Sequence, residues 1–208
     1  MFQNRADAGE QLARLIEREG IEAEIVLGIP RGGLPVAAPV AAALDAPLDV
    51  IAAKKMGAPG NDELALGAVT STGEAWYNDR LITQLDVDDS YLERERRRAA
   101  TVAAEKLQNY RGTDDLAETT DRRVILVDDG IATGATVRAC LTQLRGTGAA
   151  AIVLAVPVAS PSTADDLSEQ VDTLVVVETP DRFGAVGEFY QNFEQVSDAE
   201  AKSFLHRP

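Results

Sequence analysis

The chain has 208 residues, 45% of them hydrophobic, with 34 acidic against 20 basic side chains and a formal charge of −14. That length suits one domain with a sizeable core, and the composition excludes a disordered or fibrous chain. The acidic balance offers nothing to neutralise a phosphate backbone, so no nucleic-acid partner is expected.

No apolar run approaches the roughly 18 residues of a membrane span. The opening stretch MFQNRADAGEQLARL lacks the pattern of a signal peptide. The expectation is a soluble, cytoplasmic protein with no membrane partner. One cysteine, Cys140, excludes an internal disulfide framework and a cysteine-based zinc site. One histidine, His206, leaves no histidine cluster for a metal and no Ser-His-Asp triad, and reads as a tail residue. Only four of the basic residues are lysines: Lys54, Lys55, Lys106 and Lys202. An acidic, lysine-poor surface suits a halophile, because dense carboxylates keep a protein hydrated in a salt-rich cytoplasm.

In chain order, residues 6–19 place Leu12, Leu15 and Ile16 at helical spacing. Residues 23–29 form a short β-branched run that ends at Pro30 and Gly32-Gly33, a buried strand stopping at a turn. Residues 34–44 are small and apolar and read as a helix, with Pro35 in its first turn and Pro39 bending it. A second strand is expected over 48–53, then a Gly/Pro/Asn loop at 57–61. Short strands follow near 64–69 and 74–77, and a long charged helix over about 89–110. Its Arg94, Arg96, Arg97 and Arg98, interleaved with Glu93 and Glu95, read as a solvated face of ion pairs. The second half predicts strands at 123–127, 150–156 and 174–177, with helices at 135–145 and 162–169. Continuous apolar strands separated by helices indicate an α/β fold, a parallel sheet flanked by helices. A single domain over 1–208 is expected, with a core at about 20–178 and a C-terminal extension at about 179–208.

Ligands of open parallel sheets bind at the carboxyl ends of the strands. Three apparent strand ends carry unusual residues: 28–33 (GIPRGG), Lys54-Lys55, and 128–136 (DDGIATGAT). In the last, Asp128 and Asp129 leave a buried strand and a small loop then opens a helix. Such a helix N-terminus presents free amides and a positive dipole end to a phosphate, and Thr133 and Thr136 add hydroxyl donors. Paired carboxylates beside a phosphate cradle suit a phosphorylated sugar with a divalent cation nearby. A lone TGAT run is more often a structural helix cap, so the combination carries the signal.

The run VILVDDGIATGATVRA (124–139) resembles the phosphoribosyl-pyrophosphate motif of type I phosphoribosyltransferases. GIPRGG resembles that family's pyrophosphate loop, KKMGAPGNDELALGAV the segment entering its flexible loop, and PDRFGAVGEFYQNFEQVSDAEA the C-terminal portion of some members. The resemblance implies the type I phosphoribosyltransferase fold with a hood-like C-terminal extension. It also implies Mg²⁺-dependent transfer of the phosphoribosyl group from phosphoribosyl pyrophosphate to a nucleobase or other small nitrogenous acceptor, with a homodimer as the usual state. Asp128 and Asp129 would hold the ribose hydroxyls, directly or through the metal. Gly130, Ile131, Ala132, Thr133, Gly134, Ala135 and Thr136 would cradle the 5′-phosphate, and Pro30, Arg31, Gly32 and Gly33 the pyrophosphate. Lys54 and Lys55 are the other local cations, although Lys54 stands where the most similar members carry arginine, a bidentate partner that lysine does not replace. Ala132 occupies the position where hypoxanthine and guanine transferases carry an acid, so that proton exchange is not supported here.

Half of the ten aromatic residues, Phe183, Phe189, Tyr190, Phe193 and Phe204, lie in the extension. They either stack a base or anchor the extension to the core. A non-catalytic sensor that kept the ligand pocket is the alternative to an enzyme. Arg31 and a long loop at 56–62 favour catalysis, since clamping pyrophosphate and excluding water serve a reaction more than a binder.

Overall fold

The computed structural model describes residues 1–113, 115 and 117–205. His206 lies outside the described residues. In chain order the elements are α1 (Arg5–Arg18), β1 (Ile25–Gly28), α2 (Gly33–Ala43), β2 (Leu48–Val50), β3 (Ala53–Ala58), β4 (Asn61–Thr70), β5 (Ala75–Tyr77), α3 (Asp79–Gln84) and α4 (Asp89–Arg111). There follow β6 (Arg123–Val127), α5 (Ala135–Gly146), β7 (Ala151–Val158), α6 (Pro161–Ser168), β8 (Thr173–Glu178), a 3₁₀ turn (Val186–Phe189) and α7 (Asp198–Leu205). They form two compact units, one of residues 1–50, 117–134 and 147–208, the other of 51–116 and 135–146.

The first unit is built on a five-stranded sheet in the order β2-β1-β6-β7-β8, parallel throughout. β1 is buried along its whole length and β6 at every residue but Arg123, as strands covered on both faces must be. Leu12, Ala13 and Ile16 of α1 and Val36, Ala37, Val40 and Ala41 of α2 close over Val26, Ile125, Val127, Val153, Ala155 and Val175. Each large side chain buried there contributes roughly 1.5–3 kcal/mol. α1 starts on a cap in which the Asn4 side chain accepts from the Asp7 amide at 3.0 Å. α1 and α2 touch at Gly9, where a Cβ would lie 2.5 Å from the Val36 carbonyl oxygen and 3.0 Å from the Pro39 ring. α2 runs on through Pro39, with Pro35 in its first turn as expected.

The extension is stitched to the chain start. Phe2 and Tyr190 form a parallel bridge, the Phe2 amide donates to Phe189 and the Gln191 amide donates to Phe2. Phe2 is fully buried with Val158 and Tyr190, and Phe183, Phe189 and Phe193 pack around them. Ring centroids lie 5.3 Å apart for Phe2–Tyr190, 4.9 Å for Tyr190–Phe193 and 5.2 Å for Phe183–Phe189. Of the two roles open to these aromatics, the anchoring one is what this cluster performs.

The second unit holds an antiparallel sheet in the order β3-β4-β5. α4 lays Ala99, Ala103, Leu107 and Tyr110 inward, and Met56 and Val69 of the sheet pack with Ala99. Its outer face carries the expected pairs, Arg96 and Arg97 on Glu93 and Arg98 on Glu95. The two arginine hydrogen bonds hold Glu93 well below the usual carboxylate range, at about 2. Cys140 is buried in α5, and Arg138 of the same helix stacks over Trp76 of β5 at 5.3 Å.

Three expectations are corrected here. The apolar run at 48–53 is not one strand, because β2 ends at Val50 and Ala53 opens β3 in a different sheet. Residues 56–62 are not a long loop but a hairpin tip, with Gly57 opposite Ala65, Ala58 opposite Asn61 and only Pro59-Gly60 left to turn. Register shifts on either side of Gly57 leave residues 62–64 without a β3 partner, and the pairing resumes at Ala58–Asn61 beside the turn. Lys54 and Lys55 are consequently not at the carboxyl end of a parallel strand; they lie within antiparallel β3, opposite Val69 and Ala68.

Candidate active site

β6 is the central strand of the first sheet, and its apolar register ends at Val127, so Asp128 and Asp129 emerge at its carboxyl end. The Asp129 amide donates to Asp128 Oδ1 at 2.9 Å, which folds the Asp128 carboxylate back on the chain at this turn. The neighbouring β1 ends one residue short of Ile29, whose amide donates to the Val127 carbonyl. The next residues pass directly over the acidic pair. A Cβ on Gly32 would overlap Asp129 Oδ2, and one on Gly33 would lie 2.8 Å from the Val127 carbonyl oxygen and 3.1 Å from Asp128 Cα. The double glycine is what lets the GIPRGG turn and the DD turn share this space. Pro30 is buried and joined to Arg31 by a cis peptide bond. The Arg31 side chain, one-third exposed, lies 3.9 Å from Asp198 at the start of α7.

Asp129 is held through both its side chain and its backbone. Arg5 Nε donates to its Oδ2 at 2.8 Å, and Tyr190 Oη donates to its carbonyl oxygen at 2.5 Å. The carboxylate is only 17% exposed. Burial pushes its pKa up, against the opposing pull of the Arg5 charge and hydrogen bond. Burial also raises the Tyr190 phenol, with the Asp129 charge adding to it, so this hydroxyl stays a donor.

Beyond the pair, the loop is pinned from one side. The Ile131 amide donates to Val158 and the Ser160 amide to Ile131, while the Ala132 carbonyl accepts from Ser160 Oγ at 3.1 Å and Thr163 Oγ1 at 2.7 Å. Gly134 holds φ +73°, a conformation that disfavours any side chain, and the chain then enters α5 at Ala135. Ala132 and Thr133 are exposed and Thr136 is half-buried.

Pro30, Arg31, Gly32, Gly33, Asp128, Asp129, Gly130, Ile131, Ala132, Thr133 and Gly134 all belong to the first unit, where Gly32 and Gly33 lie against Asp129 and Asp128. Ala135, Thr136, Lys54 and Lys55 belong to the second unit. Lys54 and Lys55 are both exposed. Adjacent strand residues point to opposite faces, so only one of the two can face any given ligand. Reasoning from sequence missed Arg5, Ser160, Thr163 and Asp198, none of which belongs to a local motif.

A model of the phosphoribosyl transferase domain matches residues 2–193. The chain belongs to that family. A Mycobacterium tuberculosis protein whose name assigns it provisionally as a phosphoribosyl transferase is 39% identical over 207 residues. That match takes in 100% of this chain and 47% of the relative, so the chain spans about half the length of the curated relatives it matches. The crystal structure of TT1426 from Thermus thermophilus superposes with a TM-score of 0.82 at 41% identity, covering 99% of this chain and 97% of that one. A purine phosphoribosyltransferase from Pyrococcus horikoshii shares the fold at 20% identity, with a TM-score of 0.51 over 93% of each chain. The parallel five-stranded sheet flanked by helices is thus the type I phosphoribosyltransferase fold. Among the described residues no helix is long and apolar enough to cross a membrane.

Proposed function

We propose that this phosphoribosyltransferase-family chain transfers the 5-phosphoribosyl group from phosphoribosyl pyrophosphate to a small nitrogenous acceptor, releasing pyrophosphate. The observation that carries the reading is the close passage of Gly32-Gly33 over Asp128-Asp129 at the carboxyl end of the central strand. Two anion-holding turns and two carboxylates then face one ligand that has both phosphates and hydroxyls. Asp128 and Asp129 bind the ribose hydroxyls, the amides of 130–136 with Thr133 and Thr136 take the 5′-phosphate, and Arg31 with its following glycines holds the leaving pyrophosphate. Charge that develops on the departing group is met by Arg31.

The donor set fits Mg²⁺. Asp128 and Asp129 are adjacent carboxylates, which supply hard oxygen donors. Magnesium is commonly held by one or two carboxylates together with substrate phosphates. Asp128 and Asp129 would hold it, and when bound it supplies charge neutralisation to the pyrophosphate oxygens. A homodimer in the cytoplasm completes the reading. With a hairpin in place of a long loop at 56–62, Arg31 is left to favour an enzyme over a sensor.

Calorimetric titration with phosphoribosyl pyrophosphate, with and without Mg²⁺ and at low and molar KCl, tests the pocket. Micromolar binding that requires Mg²⁺ is expected, and Asp129→Asn should weaken it at least tenfold with the fold intact. Undiminished binding in that variant would sink the assignment. Pyrophosphate release across a panel of bases then separates enzyme from sensor.

A further inference from the structure

Arg5 has no place in either anion-binding turn, yet it is the side chain that reaches the acidic pair from the far end of the sequence. Its guanidinium is held at three points. Nε donates to Asp129 Oδ2 at 2.8 Å, Nη1 donates to the Glu194 carbonyl at 2.8 Å, and the group lies over the Phe193 ring at 3.8 Å from its centroid. Arg5 is itself only 12% exposed. The helix that carries it is fixed by the Asn4 cap, and the segment before it by the Phe2–Tyr190 bridge. Phe193 packs in turn on Tyr190 in a tilted arrangement, and the Tyr190 hydroxyl holds the Asp129 carbonyl. Backbone and side chain of Asp129 are therefore both held by residues that the chain start and the extension bring together.

We propose that Arg5 is a positioning residue for Asp129, holding its carboxylate in the orientation that receives the ribose hydroxyls and so coupling the extension to the ligand site. The proposal rests on the reading of Asp129 as a ligand-binding residue given above. A planar guanidinium suits this task because its fork reaches a carboxylate and a carbonyl at fixed angles while its face lies on an aromatic ring. A lysine ammonium keeps the charge but not that geometry. Arg5 acts through Asp129 and does not itself touch the ligand.

The test is a double-mutant cycle on phosphoribosyl pyrophosphate affinity, measured by calorimetry with Mg²⁺ on wild type, Arg5→Gln, Asp129→Asn and the double variant. Thermal melting of each variant accompanies it. Arg5→Gln is expected to weaken binding about tenfold, and to have almost no further effect once Asp129 is already Asn. Arg5→Lys should recover stability more fully than affinity, which a purely structural role would not produce. Should Arg5→Gln prove too unstable to titrate, Arg5→Lys replaces it in the cycle with the same expected coupling. Additive losses in the double variant, or wild-type affinity in Arg5→Lys together with additivity, would overturn the positioning role while leaving the functional reading in place. Absence of wild-type binding overturns the functional reading and this role with it.

Discussion

Gly32 shows how a single missing side chain serves this site. A methyl group there would collide with Asp129 Oδ2 and come within 3.1 Å of Arg5 Nε, so relief requires breaking the pair that holds the carboxylate. Gly32→Ala should therefore reduce ligand affinity by an order of magnitude or more, read by titration with phosphoribosyl pyrophosphate. Gly146 is the control, since nothing lies within 4 Å of a Cβ added there, and Gly146→Ala should leave affinity unchanged. Tyr190→Phe makes a milder cut. It leaves the tilted ring contacts with Phe2 and Phe193 intact and removes only the donor to the Asp129 carbonyl. A loss of about 1 kcal/mol in denaturant unfolding is expected.

Among the elements, α1 and α2 depend on Gly9 as much as on their apolar faces. The Cβ position lies 2.5 Å from a backbone oxygen, which cannot swing aside as a flexible side chain would. Gly9→Ala should cost about 1–3 kcal/mol of stability despite the higher helix propensity of alanine, and an unchanged or raised melting temperature would refute the close packing. The loop after Asp129 depends on the start of α6 in the same way. Thr163 Oγ1 donates to the Ala132 carbonyl at 2.7 Å, and the single Ser160 hydroxyl proton is within reach of either that carbonyl at 3.1 Å or Thr163 Oγ1 at 2.8 Å. α4 is the contrasting case, an amphipathic helix whose arginine-glutamate face was legible from spacing alone.

For the molecule as a whole, the formal charge of −14 sets the response to salt. Net self-repulsion destabilises a compact state, and added salt shortens the range over which it acts, to roughly 3 Å at 1 M. The melting temperature should therefore rise between 0.05 and 2 M KCl, by calorimetry. A flat or falling profile would remove the halophile reading of the composition.

Composition and local pattern were enough to read the α/β class, the order of most elements and the DD-to-TGAT segment. Each of those rests on interactions within a few residues or on a strand's own burial. The run VILV announced a strand covered on both faces, and the acids and small residues after it announced where that strand ends and the next helix begins. What local pattern could not decide is which sheet a strand joins. The apolar run at 48–53 reads continuously, yet its two halves pair with different partners, and with that the lysines left the strand end where they were expected. Nor could it reveal Arg5, whose partner lies 124 residues away and whose ring, Phe193, lies in the extension. Hydrogen bonds of that kind exist only once distant segments are folded together. In this protein the two turns at the strand ends are encoded locally, and the residues that hold them in place are assembled by the tertiary structure.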